Sequence, residues 1–257
     1  MVRDRRPIGP NSKTEQTGSL DVVGTGIDVA AHLTPEARAA IEEADAVLYL
    51  AADPVAALKI ESLNAGARSL DGFYAPRKSR RETYEEVVDA IVGEATAGRR
   101  VCAVFYGHPG VFAYPGHEAV QRARAAGVPA RMLPALSSLD CLFADLALDP
   151  GVGGLQCYEA TDFLQRRPPI DLDAALVLLQ VGMLGERGGA ESPQVRDRFA
   201  ELLARLRDLY GSSTEAVLYE ASAYPGSPPV IEKVRLDAAA PDAPGVMATL
   251  LVRRPAA

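Results

Sequence analysis

Val104-Phe105-Tyr106-Gly107-His108-Pro109-Gly110-Val111-Phe112 closes an apolar run and breaks at once into a tight loop. The run starts at Val101, just after the basic pair Arg99-Arg100, and reads as a buried strand. Gly107 and Gly110 let a backbone approach a ligand closely. Pro109 stiffens the turn and carries no N–H in need of a partner. Tyr106 and His108 stand where a strand gives way to a loop, the place at which open α/β sheets hold their ligands. The same residues also suit an ordinary strand-to-helix turn, so the neighbouring segments decide between the two.

Those segments alternate. Leu20–Val23 reads as a first strand running into Gly24-Thr25-Gly26. Thr34-Pro35-Glu36 opens a helix, with Thr34 as N-cap, Pro35 in the first turn and Glu36 near the positive helix end. Ala46–Leu50 is a second strand, Asp53–Leu63 a helix and Ser69-Leu70 a short strand. Glu82–Ala97 has helical periodicity and stops at Gly98. Pro115–Ala126 is a helix ended by Gly127, and Ala130–Leu133 a short strand. Such alternation predicts a mostly parallel sheet with helices on its faces.

After Pro134 the pattern changes. Ser137–Leu146 is a helix capped by Ser137 or Ser138, Gln156–Glu159 and Leu176–Val181 are strands, and Pro193–Tyr210 is a long amphipathic helix. Ala216–Glu220, Val230–Leu236 and Met247–Val252 then follow as strands without helices between them, which predicts a mixed sheet. The expected architecture is therefore α/β in two lobes. A polar, disordered leader over residues 1–18 precedes an N-terminal α/β lobe at 19–134 and a C-terminal α/β lobe at 135–257.

The chain has 257 residues, 48% of them apolar and 24% charged, which is ordinary for a soluble globular protein. A net charge of −7 without a long basic run disfavours a nucleic-acid partner. The densest basic cluster, Arg77-Lys78-Ser79-Arg80-Arg81, reads as a solvated loop. No apolar stretch is long enough to span a bilayer, so no membrane partner is expected. Cys102, Cys141 and Cys157 lack a CxxC spacing and sit among apolar neighbours, which predicts buried reduced thiols in a reducing compartment.

Several familiar chemistries fall away. Gly24-Thr25-Gly26 lacks the third glycine of a dinucleotide fingerprint, because position 29 is Val. His108 and His117 share a segment without a Cys, Asp or Glu at a ligand spacing, so no metal is expected. Ser137 and Ser138 lack a nucleophile elbow. What remains is Tyr74, Arg80, Tyr84 and Tyr106. Arg80 and Tyr84 are four residues apart and share a helix face. A guanidinium beside a phenol draws its pKa down from about 10. Such a phenol can act as a base while the guanidinium holds a developing oxyanion. Spacing alone favours the plainer arrangement, with Tyr84 in the core and Arg80 in solvent.

The order of motifs resembles a known family. The matching pieces are Val23-Gly24-Thr25-Gly26, Ile41–Val47, Arg80-Arg81-Glu82-Thr83-Tyr84-Glu85 and Tyr106–Phe112. Further on come Cys141–Leu146, Asp149-Pro150-Gly151, Tyr158-Glu159-Ala160 and Ala248–Val252. Together they resemble the tetrapyrrole methylase superfamily, the two-lobed class III methyltransferases that use S-adenosylmethionine. Within it they are similar to the borosin peptide backbone α-N-methyltransferases. The likeness runs over residues 19–253.

That resemblance implies S-adenosyl-L-methionine folded in the cleft between the lobes, touching Tyr106, His108, Val111, Tyr114, Gln180, Ala221, Ala248 and Thr249. It implies Arg80, Tyr84 and Tyr106, with Tyr74, around the reacting amide. It also implies a cytoplasmic homodimer. Fused relatives carry their substrate as a C-terminal extension, whereas this sequence stops at Pro255-Ala256-Ala257, so the expected substrate is a separate precursor peptide. The chain has no Trp, so any role a relative gives to Trp is vacant or filled otherwise. Two other readings stay open: a methyltransferase of the same superfamily acting on a small molecule such as a tetrapyrrole, and a non-catalytic peptide-binding protein.

Overall fold

A computed structural model describes residues 18–75, 78–185, 193–237 and 244–253. The expected leader lies, except for Gly18, outside the described residues.

The first half builds a five-stranded sheet from β1 (Ser19–Gly24), β2 (Ala46–Leu50), β3 (Arg68–Ser69), β4 (Arg100–Phe105) and β5 (Ala130–Met132), in the order β3-β2-β4-β1-β5. Every pairing in it is parallel, as the strand–helix alternation predicts. Side-chain alternation divides its strands between two cores. Leu20, Val22, Leu48, Val101, Ala103 and Phe105 face helices α3 (Arg80–Thr96) and α4 (Tyr114–Ala125). Val23, Val47, Tyr49, Cys102 and Val104 face α1 (Pro35–Glu43) and α2 (Pro54–Leu63).

The second half builds a mixed sheet from β6 (Leu155–Glu159), β7 (Ala175–Leu179), β8 (Glu215–Glu220), β9 (Val230–Arg235) and β10 (Thr249–Val252), ordered β6-β7-β10-β8-β9. Only β6 and β7 pair in parallel; β7–β10, β10–β8 and β8–β9 are antiparallel. A parallel pair needs a crossover, and α6 (Ala160–Arg166) supplies it, a helix that periodicity did not reveal. One face of this sheet packs on α6 and α7 (Pro193–Tyr210) through Phe163, Phe199, Leu202 and Leu206. The other packs on α5 (Ser138–Asp145) through Leu142. α5 thus packs with the second sheet.

Local chemistry fixes the helix starts. Thr34 Oγ1 accepts from Ala37 N at 3.1 Å, and Asp53 Oδ1 accepts from Val55 and Ala56 N. Ser79 and Glu82 form a capping box, so α3 begins at Arg80 and not at Glu82 as periodicity suggests. The box places Arg80 in the first turn, a helical position and not the solvated loop expected of the basic cluster. Gly93 lies exposed in this helix, and an added Cβ there would meet nothing within 4 Å. Gly93→Ala is expected to raise stability by about 0.5–1 kcal/mol, read as a higher Tm.

The cysteines are free, but only Cys102 is buried; Cys141 on α5 and Cys157 on β6 are half-buried where that helix packs on the second sheet. Burial still pushes the Cys157 thiol up to about 11. Among the described residues no helix is long and apolar enough to cross a membrane.

Candidate active site

β1 and β4 lie side by side and end together, with Gly24 opposite Phe105. Just beyond, their loops are stitched by two backbone bonds: Gly26 N donates to Gly107 O at 3.2 Å, and Gly107 N to Gly26 O at 3.1 Å. Both glycines have left-handed backbones, φ 68° and 67°. The Gly-Thr-Gly sequence therefore serves loop-to-loop packing. A Cβ on Gly24 would lie 2.1 Å from Gly107 O.

These stitched loops form one wall of a cavity of about 320 Å³, within the usual range for small-molecule sites. The first sheet and its helices contribute Ile27, Arg80, Tyr106, Gly107, His108, Val111, Phe112 and Ala113. The second half contributes Ser137, Ser138, Leu179, Gln180, Met183, Ala221, Val246, Met247 and Thr249. Gln180 and Phe112, both lining it, have φ of 61° and 51°. Such backbones are disfavoured for side chains larger than glycine and cluster where a ligand is held. Gln180 takes its turn directly after β7, which aims that residue at the cavity.

Of the residues expected to touch a cofactor, Tyr106, His108, Val111, Gln180, Ala221 and Thr249 line this cavity. Ala248 and Tyr114 do not. Ala248 is buried, and its carbonyl accepts from Val181 N at 3.1 Å, so it holds β10 against the turn after β7. Tyr114 turns instead toward α3, where its hydroxyl donates to Glu85 Oε1 at 2.9 Å. Ile27, Ser138, Met183, Val246 and Met247 escaped sequence reading, since apolar and hydroxyl residues at element ends carry no spacing signal.

His108 has a defined orientation. Its Nδ1 accepts from Gly110 N at 2.9 Å, which leaves Nε2 as the ring's other hydrogen-bonding position. Beneath the cavity, the fully buried Tyr219 donates to Asp145 Oδ2 at 2.7 Å and ties β8 to α5. Tyr106 is half-buried, and desolvation, with Cys141, Glu220 and Asp53 nearby, pushes its phenol well above the ordinary tyrosine value. That surrounding favours the neutral, hydrogen-bond-donating form of Tyr106 over the phenolate.

Arg80 is the group of most chemical interest. It is half-buried, lines the cavity, and no described residue forms an ion pair or hydrogen bond with it. A partly desolvated guanidinium without a carboxylate is unfavourable unless something else meets it. Tyr84 follows one turn later, and neither Tyr84 nor Tyr74 lines the cavity itself. Tyr74 lies close enough to feel both Arg80 and Tyr84. Arg80 draws its phenol down, yet desolvation and Tyr84 outweigh this and raise it to about 12. At Tyr74 the pull of the arginine is therefore present but smaller than the desolvation of the phenol.

A cavity lined from two α/β halves, at the C-terminal ends of a parallel sheet and walled by glycine loops, is the kind of place where open α/β folds hold a small ligand. The chain belongs to the tetrapyrrole (corrin/porphyrin) methylase family, whose model matches residues 19–235. Within that family its likeness is to the borosin-type methyltransferases. It is 40% identical to the methyltransferase/ribosomally synthesized cyclic peptide dendrothelin A precursor of Dendrothele bispora, over 87% of this chain and 54% of that protein. It is also 40% identical to the corresponding omphalotin A precursor of Omphalotus olearius, over 86% of this chain and 53% of that protein. The chain spans about half the length of these curated relatives. Among solved structures, uroporphyrin-III C-methyltransferase from Thermus thermophilus matches with a TM-score of 0.65 and 23% identity, covering 92% of both chains. A structure of that enzyme complexed with S-adenosylhomocysteine matches with a TM-score of 0.58 and 21% identity, again over 92% of each chain. These two establish the fold.

Proposed function

We propose that this chain is a peptide α-N-methyltransferase that uses S-adenosyl-L-methionine to methylate backbone amides of a separate ribosomal precursor peptide. The observation that carries the reading is Arg80: a half-buried guanidinium in the wall of the cavity, without an ion pair or hydrogen bond among the described residues, in a family of methyltransferases. The residues fit the cofactor. Ile27, Val111 and Leu179 offer apolar wall, Gln180 and Thr249 polar groups, and the stitched glycine loops let backbone come close. When bound, S-adenosylmethionine supplies an electrophilic sulfonium methyl.

An amide nitrogen is a poor nucleophile because resonance ties up its lone pair. In this reading Arg80 holds the charge that gathers on the amide oxygen as the nitrogen loses its proton. Tyr84, entering as the phenolate, takes that proton and leaves as the neutral phenol. Tyr106, kept protonated by burial, donates to the peptide and fixes the nitrogen in line with the methyl. The N–H bond breaks, the N–C bond forms and the S–C bond breaks, so the products are an N-methyl amide and S-adenosylhomocysteine. Tyr74, near enough to feel the guanidinium, completes the polar-aromatic group. The exposed apolar side chains Phe112, Val246 and Met247 at the cavity lining suit an apolar chain arriving from outside. The reading carries a cytoplasmic homodimer with it.

The test is coexpression with short open reading frames of the genomic neighbourhood, followed by mass spectrometry. A peptide gaining multiples of one CH2 mass, placed by fragmentation on backbone nitrogen, is the expected result. Methyl groups on side chains or on a tetrapyrrole would overturn the reading. The purified chain incubated with cofactor alone is expected to keep its mass, as a substrate in trans requires.

A further inference from the structure

Helices α3 and α4 pack against each other beside the cavity, and a chain of contacts crosses between them twice. Arg122 on α4 pairs with Glu85 on α3, and also binds Glu118 at 2.7 Å and Asp89 at 3.1 Å. Glu85 uses its other oxygen to accept from the Tyr114 hydroxyl at 2.9 Å. The ring of Tyr114 then lies against that of Tyr84, with centroids 6.2 Å apart and planes 26° apart, an offset stack.

Tyr114 opens α4, and the residue before it, Ala113, gives no side-chain cap to that helix start. Nothing in the cap fixes where the Tyr114 ring points. The ring is 43% exposed, so packing holds it weakly as well. The hydroxyl bond to Glu85 is what orients it. Arg122 also joins α4 to α3 through Asp89, so the Glu85–Tyr114 bond is not needed to hold the two helices together.

We propose that Glu85 is a positioning residue: by anchoring Tyr114 it sets the ring against which Tyr84 lies, and so aims the Tyr84 phenol at the reacting amide. This rests on the reading of Tyr84 as proton acceptor. Arg122 holds Glu85 ionised, since it and the Tyr114 bond keep that carboxyl below the usual glutamate value. The acceptor is therefore present throughout the neutral range.

The experiment is a double-mutant cycle on the peptide methylated in the coexpression assay. Glu85→Ala is expected to lower kcat about tenfold, with cofactor affinity by calorimetry unchanged. In a Tyr84→Phe background the same substitution is expected to change nothing further, and Glu85→Gln, which keeps an acceptor for Tyr114, to restore most of the rate. A second readout needs no substrate: with 13Cζ-labelled tyrosine, the Tyr84 resonance, assigned by its loss in Tyr84→Phe, is expected to shift in Glu85→Ala and Tyr114→Phe. An unmoved resonance overturns the proposal, and so does an equal fall in kcat in both backgrounds. A wild-type rate in Tyr84→Phe overturns the reading of Tyr84 along with it; a slow Tyr84→Phe beside a wild-type Glu85→Ala overturns the positioning role alone.

Discussion

Arg80→Ala is expected to slow methyl transfer by about 10²–10³-fold, the usual loss when one preorganised donor to a developing oxyanion is removed. The fall should appear in kcat, because the charge on the amide oxygen exists only as the nitrogen gives up its proton. Stability should move little, within about 0.5 kcal/mol. Arg80 has no ion pair or hydrogen bond to any described residue, so its loss leaves no buried partner behind. Arg80→Lys separates charge from geometry. Lysine keeps the charge but lacks the planar fork, and is expected to recover only part of the rate. The checks are single-turnover methylation for the chemical step and calorimetric titration with cofactor for binding. An Arg80→Ala protein that methylates at the wild-type rate would remove the oxyanion role, whatever its melting temperature.

The fold was legible where periodicity is strong. The strand–helix alternation of the first half and the helix-free succession of strands near the C-terminus led to a parallel sheet and a mixed one, and both are present. Helix boundaries drifted where a cap outweighs periodicity: Ser79 and Glu82 start α3 two residues early, drawing Arg80 and Arg81 out of the basic loop. The short crossover α6 was missed because a single buried turn, around Phe163 and Leu164, carries no repeat to count.

The site was legible for a different reason. Tyr106, His108 and Val111 follow a strand end without a gap, so register carried them into the cavity wall. Gln180, Ala221 and Thr249 come from the second sheet, and only the family likeness pointed to them. Tyr114 and Ala248 share that origin, but the Tyr114 side chain and the Ala248 backbone serve other contacts. Identity along a motif fixes which backbone approaches a ligand; it does not fix which way an exposed ring turns. That choice depends on a partner such as Glu85, from another segment, and no spacing rule links the two.

Gly24→Ala is expected to be the most damaging small substitution at the site. The new Cβ would stand 2.1 Å from Gly107 O, 2.7 Å from Ala135 Cβ and 2.8 Å from Pro109 Cδ. Two of these belong to the loop after β4 and one to the segment joining the halves, and the first is backbone, which cannot swing aside. Relief requires the β1 and β4 loops to part, which breaks the paired Gly26–Gly107 bonds. Overpacking of this kind costs about 1–3 kcal/mol, seen as a lower Tm. The sharper consequence is for binding, because Gly107 and His108 line the cavity and move with the loop. Cofactor affinity is expected to fall at least about tenfold, since each 1.4 kcal/mol lost is a factor of ten. Gly110→Ala serves as the contrast. Its Cβ would meet the Met132 sulfur at 2.8 Å and the His108 and His117 rings at 3.3 Å. The methionine is a flexible side chain that can give way, so affinity should stay much nearer wild type. Equal losses in both variants would mean that any bulk in the loop is harmful, and that the glycine stitch between the strand ends is not what shapes the cavity.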